Sequence, residues 1–216
     1  MSNTDNLQKL ASLIFPDVTD ADTVESLEER FPERGLSEGA KVTRIAPSPT
    51  GSMHIGNLYG GLADERIAHS ATKDGVFYLR IEDTDDKREV PGAVEKIIKY
   101  LGAFGIEFDE GASADGDIGA YGPYRQRARA KIYHIVAKKL LLDGRAYPCF
   151  CTEEDLQKAH AAQEAAKENF GYYGKWAIHR DMPVEEAIKR IENGESYVLR
   201  FRSMGDPTKK VEFKDQ

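Results

Sequence analysis

The stretch RIAPSPTGSMHIGNLYGG, residues 44–61, constrains the fold of this chain more than any other. The alternating KVTRIA that leads into it is β-prone and predicts a buried strand ending at Pro47. Beyond the loop, Leu58, Leu62, Ile67 and Ala68 can share one helix face, so a helix is expected from about His54 to Thr72. Gly75 ends that connection. VFYLRIE then predicts a second strand, apolar enough to be covered on both faces. The polar run EDTDDKREVPG leads to a further helix over AVEKIIKYLGAF, with Pro91 near its start. Strand, loop and helix, repeated, is the order of a doubly wound, Rossmann-like α/β domain. Its ligands gather beyond the carboxyl ends of the strands, where APSPTGSMHIG and EDTD both fall.

The 216 residues suffice for one large or two small domains. No apolar run approaches the roughly 20 residues of a membrane span. The N-terminus lacks the basic start and apolar block of a signal peptide, so a cytoplasmic location and no membrane partner are expected. Two cysteines two apart, Cys149 and Cys151, make no disulfide framework and suit a reducing compartment. The net charge of −7 arises mostly in residues 1–40, which hold three basic and nine acidic side chains. The remainder is nearly neutral, so overall charge neither demands nor excludes a polyanionic partner.

Three segments are expected. Residues 1–40, with the amphipathic NLQKLASLIF and the acidic DADTVESLEERF, read as an N-terminal helical extension capping the main domain. Residues 41–123 read as the first half of a nucleotide-binding domain, and residues 124–216 as an α+β module. That module opens with a basic helix and a short strand. A helix capped by Thr152 and another over PVEEAIKRIENG follow, then strands at SYVLRFRS and KKVEFKD.

The chemistry centres on His54-Ile55-Gly56-Asn57. A helix N-terminus offers unpaired N–H groups and partial positive charge, which suit phosphates. His54 can donate to a polyphosphate oxygen, and Gly56 leaves room for a flat base. Alone, these residues would more often be an ordinary first helical turn. Arg44, on the preceding strand, offers a bidentate fork for a carboxylate, and Glu82, ending the next strand, can hold an ammonium. Together they suit an amino acid, although an ordinary ion pair has the same composition. The EDTD carboxylates could ligate Mg²⁺ or merely cap a turn.

VTRIAPSPTGSMHIG, VFYLRIEDTD, REVPGAVEKI, GIEFDEG and YGPYRQ, in this order, resemble the amino-terminal half of glutamyl-tRNA synthetases, which are class I aminoacyl-tRNA synthetases. HIGN stands where that family has HIGH, and APSPTG favours the glutamyl over the glutaminyl branch. The resemblance implies glutamate contacts from Arg44, Ala46, Ser48 and Glu82, with Arg44 on the side-chain carboxylate. It implies that His54, Gly56 and Asn57 serve ATP with Mg²⁺, His54 and Gly56 acting in catalysis and Asn57 not. Residues 124–216 would be the inserted module for the acceptor end of tRNA-Glu, with Arg125, Arg127 and Arg129 as phosphate contacts or simply solvated side chains. A monomer is expected.

Some members of that family carry zinc in this insertion. Cys149 and Cys151 have a suitable spacing, with His179 as a possible third ligand and His160 as a weaker fourth. Trp176 and Ile178 occupy positions where a Cys-x-His pair would complete the site, so no metal is expected. The family's lysine-bearing KMSKS loop, the return half of the nucleotide fold and the anticodon-binding domain have no counterpart here. The chain therefore reads as an N-terminal fragment, expected to lack efficient adenylation alone. The alternatives are a shortened paralogue that attaches glutamate to a modified tRNA nucleoside, and a non-catalytic acceptor-stem binding module. A small nucleotidyltransferase fits Arg44 with Glu82 less well.

Overall fold

The computed structural model describes residues 3–51, 53–85, 87–203 and 209–214. They form α1 (Asn3–Ile14), α2 (Val24–Arg30), β1 (Val42–Ile45), α3 (Ile55–Ala71), β2 (Val76–Leu79), α4 (Ala93–Ala103), β3 (Glu110–Ser113), β4 (Gly116–Ile118), α5 (Ala130–Leu142), β5 (Ala146–Cys149), α6 (Glu153–Ala166), α7 (Val184–Glu192) and β6 (Val198–Phe201). The chain divides into two compact units, Glu25–Tyr133 and Met1–Val24 with His134–Gln216.

In the unit Glu25–Tyr133, β1 and β2 pair in parallel, with Arg44 opposite Tyr78 and Ile45 opposite Leu79. β2 continues in parallel to β3, and β3 turns back on β4, giving the order β1-β2-β3-β4. Strand alternation sends successive side chains to opposite faces. One face delivers Ile45, Phe77 and Leu79 to a core with Leu58 and Ala68 of α3 and Val94, Ile97 and Leu101 of α4. Burying side chains of this kind stabilises by roughly 1.5–3 kcal/mol each. The face covered by helices is one, not two as VFYLRIE predicted, for Val76 and Tyr78 of β2 are only half-buried.

The turn from α3 into β2 is close to the limit of backbone approach. A Cβ on Gly75 would sit 2.0 Å from the carbonyl oxygen of Ala68, so no other residue fits without moving the helix end. The expected helix near His54–Thr72 is thus present as α3, and its packing on β1 and β2 fixes where its N-terminus opens.

In the other unit, β5 and β6 pair antiparallel, with Cys149 opposite Val198. α1 packs on α7 through buried Leu10, Ala11, Ala187 and Ile188. Asn6 donates to Glu185 at 2.6 Å and Lys9 pairs with Glu192 at 2.7 Å. This changes the expectation for residues 1–40. They do not act as one cap: α1 belongs with the second module, whereas all of α2 but Val24 belongs to the sheet unit. The reason is the apolar stripe of α1, which matches the strongly amphipathic α7. Thr152 caps α6 as expected, its hydroxyl accepting the Asp155 amide at 3.2 Å. The last expected strand, KKVEFKD, is not formed among the described residues 209–214, where Val211 and Phe213 stay exposed with no strand partner.

Candidate active site

The carboxyl ends of β1 and β2 are laced together by main-chain bonds. The amide of Arg80 donates to the carbonyl of Ile45 at 3.0 Å, that of Glu82 to Pro47 at 3.0 Å, and that of Val90 to Pro49 at 2.9 Å. The proline-rich loop cannot supply amides at positions 47 and 49, but its carbonyls receive these three bonds' outer pair. APSP and EDTD are therefore held side by side, and Pro47 and Pro49 are buried while Ser48 between them is exposed.

On this edge, Arg44 places NH1 3.2 Å from Oε1 of Glu82. Arg80, just past the end of β2 and two residues before Glu82, holds that oxygen too, through Nε at 2.9 Å and NH2 at 2.8 Å. A carboxylate held between two guanidiniums is fixed in direction. Asp64 of α3 adds a second acid near Arg44. Burial pushes its carboxyl above the ordinary range, and the charge of Arg44 pulls in the opposite direction. Arg80 and Asp64 escaped the sequence reading, since an arginine in a strand and an aspartate in a helix carry no motif.

His54 is exposed at the start of α3, where its carbonyl receives the amides of Asn57 and Leu58. Its own amide donates to Asn57 Oδ1 at 3.4 Å. Asn57 thus serves the first helical turn, a task a histidine at that place would meet differently. A Cβ on Gly56 would meet only His54 Nδ1, at 3.8 Å, so the surface over this turn is open. The structure brings Arg44 and Glu82 into direct contact, with Ala46 and Ser48 flanking Pro47, whose carbonyl receives the Glu82 amide. It places His54, Gly56 and Asn57 on the helix that β1 feeds, without a bond from His54 to the Arg44–Glu82 pair.

The three candidate RNA contacts are differently employed. Residues 124–126 run alongside the end of β2, Ile81 bonding to the Tyr124 carbonyl and the Gln126 amide. The Arg127 amide donates to buried Asp83 at 2.8 Å, and its guanidinium pairs with Asp83 and Glu89. Arg129 donates to the carbonyls of Tyr121 and Pro123, at 3.3 and 2.9 Å. Arg127 and Arg129 therefore fasten the segment to EDTD and the preceding turn. Arg125 has no side-chain bond to a described residue.

In the second unit, Cys149 and Cys151 meet His179. Their ligand atoms all lie within 4.8 Å of one another, the one such grouping of three among the described residues. Burial would raise the Cys149 thiol, but hydrogen bonds involving Tyr172, the Cys151 amide, His179 and Arg200 outweigh it and bring the group down to about 6. Burial raises the Cys151 thiol. His160 lies elsewhere, against Phe170. Two soft thiolates and an imidazole are a donor set that fits zinc, which the family resemblance implied for some members. Tyr172, which the sequence reading did not single out, places its oxygen 3.2 and 3.3 Å from the two sulfurs.

Among the described residues no helix is long and apolar enough to cross a membrane. The family described as tRNA synthetases class I (E and Q), catalytic domain, matches residues 41–216. The glutamate–tRNA ligase of Acetivibrio thermocellus is 56% identical over 209 residues, which are 96% of this chain and 38% of that protein. The ligase of Clostridium beijerinckii is 52% identical over 211 residues, 97% of this chain and 37% of that protein. The chain thus spans less than two-fifths of the length of these relatives. A crystal structure of a glutamate tRNA ligase from Elizabethkingia meningosepticum, in complex with its amino acid, shares 38% identity and a TM-score of 0.62, covering 76% of this chain and 32% of that one. With a strand–loop–helix order, a HIGN turn and a family match that runs from β1 onward, this chain belongs to the class I tRNA synthetases for glutamate and glutamine.

Proposed function

We propose that this chain supplies the amino-acid and ATP half of a glutamate–tRNA ligase, with glutamate, ATP and tRNA-Glu as substrates. The observation that carries the reading is the Arg44–Glu82 pair at the carboxyl edge of the parallel strands. An amino acid with an acidic side chain is the natural ligand to divide such a pair. Its side-chain carboxylate takes the fork of Arg44 while its ammonium takes Glu82, already aligned by Arg80. Ala46 and Ser48 border the bound amino acid.

The free α-carboxylate of glutamate then faces the first turn of α3. ATP laid over Gly56, with its phosphates toward the amides of that turn and the imidazole of His54, presents its α-phosphorus to this carboxylate. Attack forms the acyl–phosphate bond and breaks the bond to the β-phosphate bridge, giving glutamyl-adenylate and releasing pyrophosphate. A ribose hydroxyl at the tRNA end next attacks the acyl carbon, and AMP leaves. The protein's part is alignment and charge stabilisation, without a covalent enzyme intermediate. The EDTD acids suit Mg²⁺ carried with the phosphates, which the open helix turn itself favours. Arg125 is the candidate tRNA contact with no competing bond to a described residue.

Calorimetric titration with a non-hydrolysable sulfamoyl analogue of glutamyl-adenylate tests the reading. It predicts saturable binding that is at least about tenfold tighter than for the glutaminyl analogue, a gap of about 1.4 kcal/mol. Equal affinity for the two, or none for either, contradicts it.

A further inference from the structure

Beside Val42 and Tyr78 the sheet unit opens into a cavity of about 290 Å³, walled by side chains of Glu25–Tyr133 alone. Phe31 and Arg34 reach it from the stretch between α2 and β1, ahead of the residues 41–216 that the family description covers. Tyr121, Tyr124 and Arg129 reach it from the segment leading into α5. Arg80, bonded to Glu82, lines it as well.

The wall is aromatic. Phe31 and Tyr121 lie within 28° of parallel, ring centres 6.3 Å apart, and Tyr78 is tilted against Tyr124 at 6.1 Å. Phe31, Tyr78 and Tyr121 are only half-buried, so each keeps accessible surface. The Tyr121 hydroxyl donates to the Pro32 carbonyl at 2.7 Å, which ties this ring to the residue after Phe31. Nucleobases stack on such surfaces with little regard to which base is present.

The wall is also cationic. Arg34 is neutralised by Glu110, with bonds of 2.5 and 2.7 Å. Arg80 shares the carboxylate of Glu82 with Arg44, and its NH1 makes no hydrogen bond among the described residues. Arg129 donates through NH1 to the carbonyls of Tyr121 and Pro123 and forms no ion pair among the described residues. Its Nε is buried with no hydrogen-bond partner. Guanidinium charge here exceeds the carboxylate charge bonded to it, and buried polar groups left unpaired are costly. A phosphate monoester, with its charge of about −1.5 to −2 and three acceptor oxygens, suits two guanidiniums so placed.

We propose that this cavity binds a nucleoside monophosphate, its base against the Phe31, Tyr78 and Tyr121 rings and its phosphate between Arg80 and Arg129. The volume stands near the lower end for ligand pockets and suits a single mononucleotide. Arg80 can keep Nε and NH2 on Glu82 while NH1 serves the phosphate, so the cavity and the Arg44–Glu82 pair can be occupied together. AMP, which leaves in the transfer step proposed above, is the member of this class that the reaction would supply. That identity rests on the ligase reading, whereas binding itself does not.

The test is calorimetric titration of the whole chain with AMP, alone and after saturation with the sulfamoyl analogue of glutamyl-adenylate, which takes the surface over Gly56. Expected is AMP binding that persists beside the analogue, with adenosine and inorganic phosphate each weaker by about tenfold or more. Phe31→Ala should weaken AMP by about fivefold or more. Arg129→Gln should weaken it by about tenfold or more, with Arg129→Lys recovering part of the loss. Circular dichroism and thermal midpoints of the variants separate ligand loss from misfolding. If the analogue does not bind, the ligase reading falls, while AMP binding that Phe31→Ala weakens still supports the cavity site. No AMP binding, AMP wholly displaced by the analogue, or inorganic phosphate bound as tightly as AMP overturns the proposal. So do folded Phe31→Ala and Arg129→Gln variants with unchanged AMP affinity.

Discussion

Arg44 and Glu82 meet across the β1–β2 pair, NH1 to Oε1 at 3.2 Å, although 37 residues separate them in sequence. Both are partly exposed, at 38% and 26%, so as an ion pair they contribute at most about 1 kcal/mol to folding. Their placement costs the fold little and leaves both charges available to a ligand. Stability and ligand binding should therefore respond very differently to substitution here.

Arg44→Lys is expected to leave the thermal midpoint nearly unchanged, within the roughly 1 kcal/mol attributable to an exposed pair. Affinity for the glutamyl-adenylate analogue should fall by about tenfold or more, because an ammonium cannot reproduce the two-pronged contact. Differential scanning fluorimetry and calorimetry on the same preparation give both numbers.

Arg80 holds the same Glu82 oxygen that Arg44 reaches and is expected to act by aiming that carboxylate. Arg80→Met should weaken analogue binding several-fold, with Arg80→Lys recovering part of the loss. A binding constant unaltered in Arg80→Met would show that Glu82 needs no such support.

His69 lies between two acids, Nε2 2.9 Å from Asp109 and Nδ1 3.0 Å from Glu65. Its hydrogen bond to Asp109 is the largest cause of a raised affinity for protons; burial opposes it, and the bond to Glu65 adds to it. A raised value means stabilisation that is complete below the unfolded-state value of about 6.5 and disappears as pH climbs through the folded-state value. Denaturant melts should thus show stability declining with rising pH from about 6.5 upward, and His69→Gln should flatten that part of the profile.

Glu110 shows the opposite sign. The Arg34 side chain holds it through two bonds, at 2.5 and 2.7 Å, and Tyr124 donates to it at 2.6 Å. Arg34 is the largest cause of the lowered Glu110 value, while burial raises the Tyr124 phenol to about 12. The bridge stabilises at pH values above the unfolded carboxylate range, near 4.3, and is lost as pH falls through the lowered folded value. Arg34→Ala should destabilise by about 1–3 kcal/mol at pH 7 and by progressively less in acid, as read from urea melts.

Much of this architecture is visible in the letters. The KVTRIA and VFYLRIE strands, the α3 and α4 helices and the Thr152 cap follow from periodicity and capping, which are local. Arg44 and Glu82 could be paired because strand–loop–helix order sends the ends of adjacent parallel strands to one edge. Arg80 was hidden because its role depends on which face of β2 shares a side with Arg44, a matter of register. Tyr172 was hidden because its approach to Cys149 and Cys151 is a tertiary contact with no spacing rule. The KKVEFKD pattern alternates like a strand, but residues 209–214 find no neighbouring strand with which to pair.

The decisive measurement is a crystal structure of this chain with L-glutamate. The account predicts the side-chain carboxylate within hydrogen-bonding reach of both terminal nitrogens of Arg44, the amino group against Glu82, and the direct Arg44–Glu82 contact opened to admit them. Glutamate bound elsewhere, with that contact intact, contradicts it.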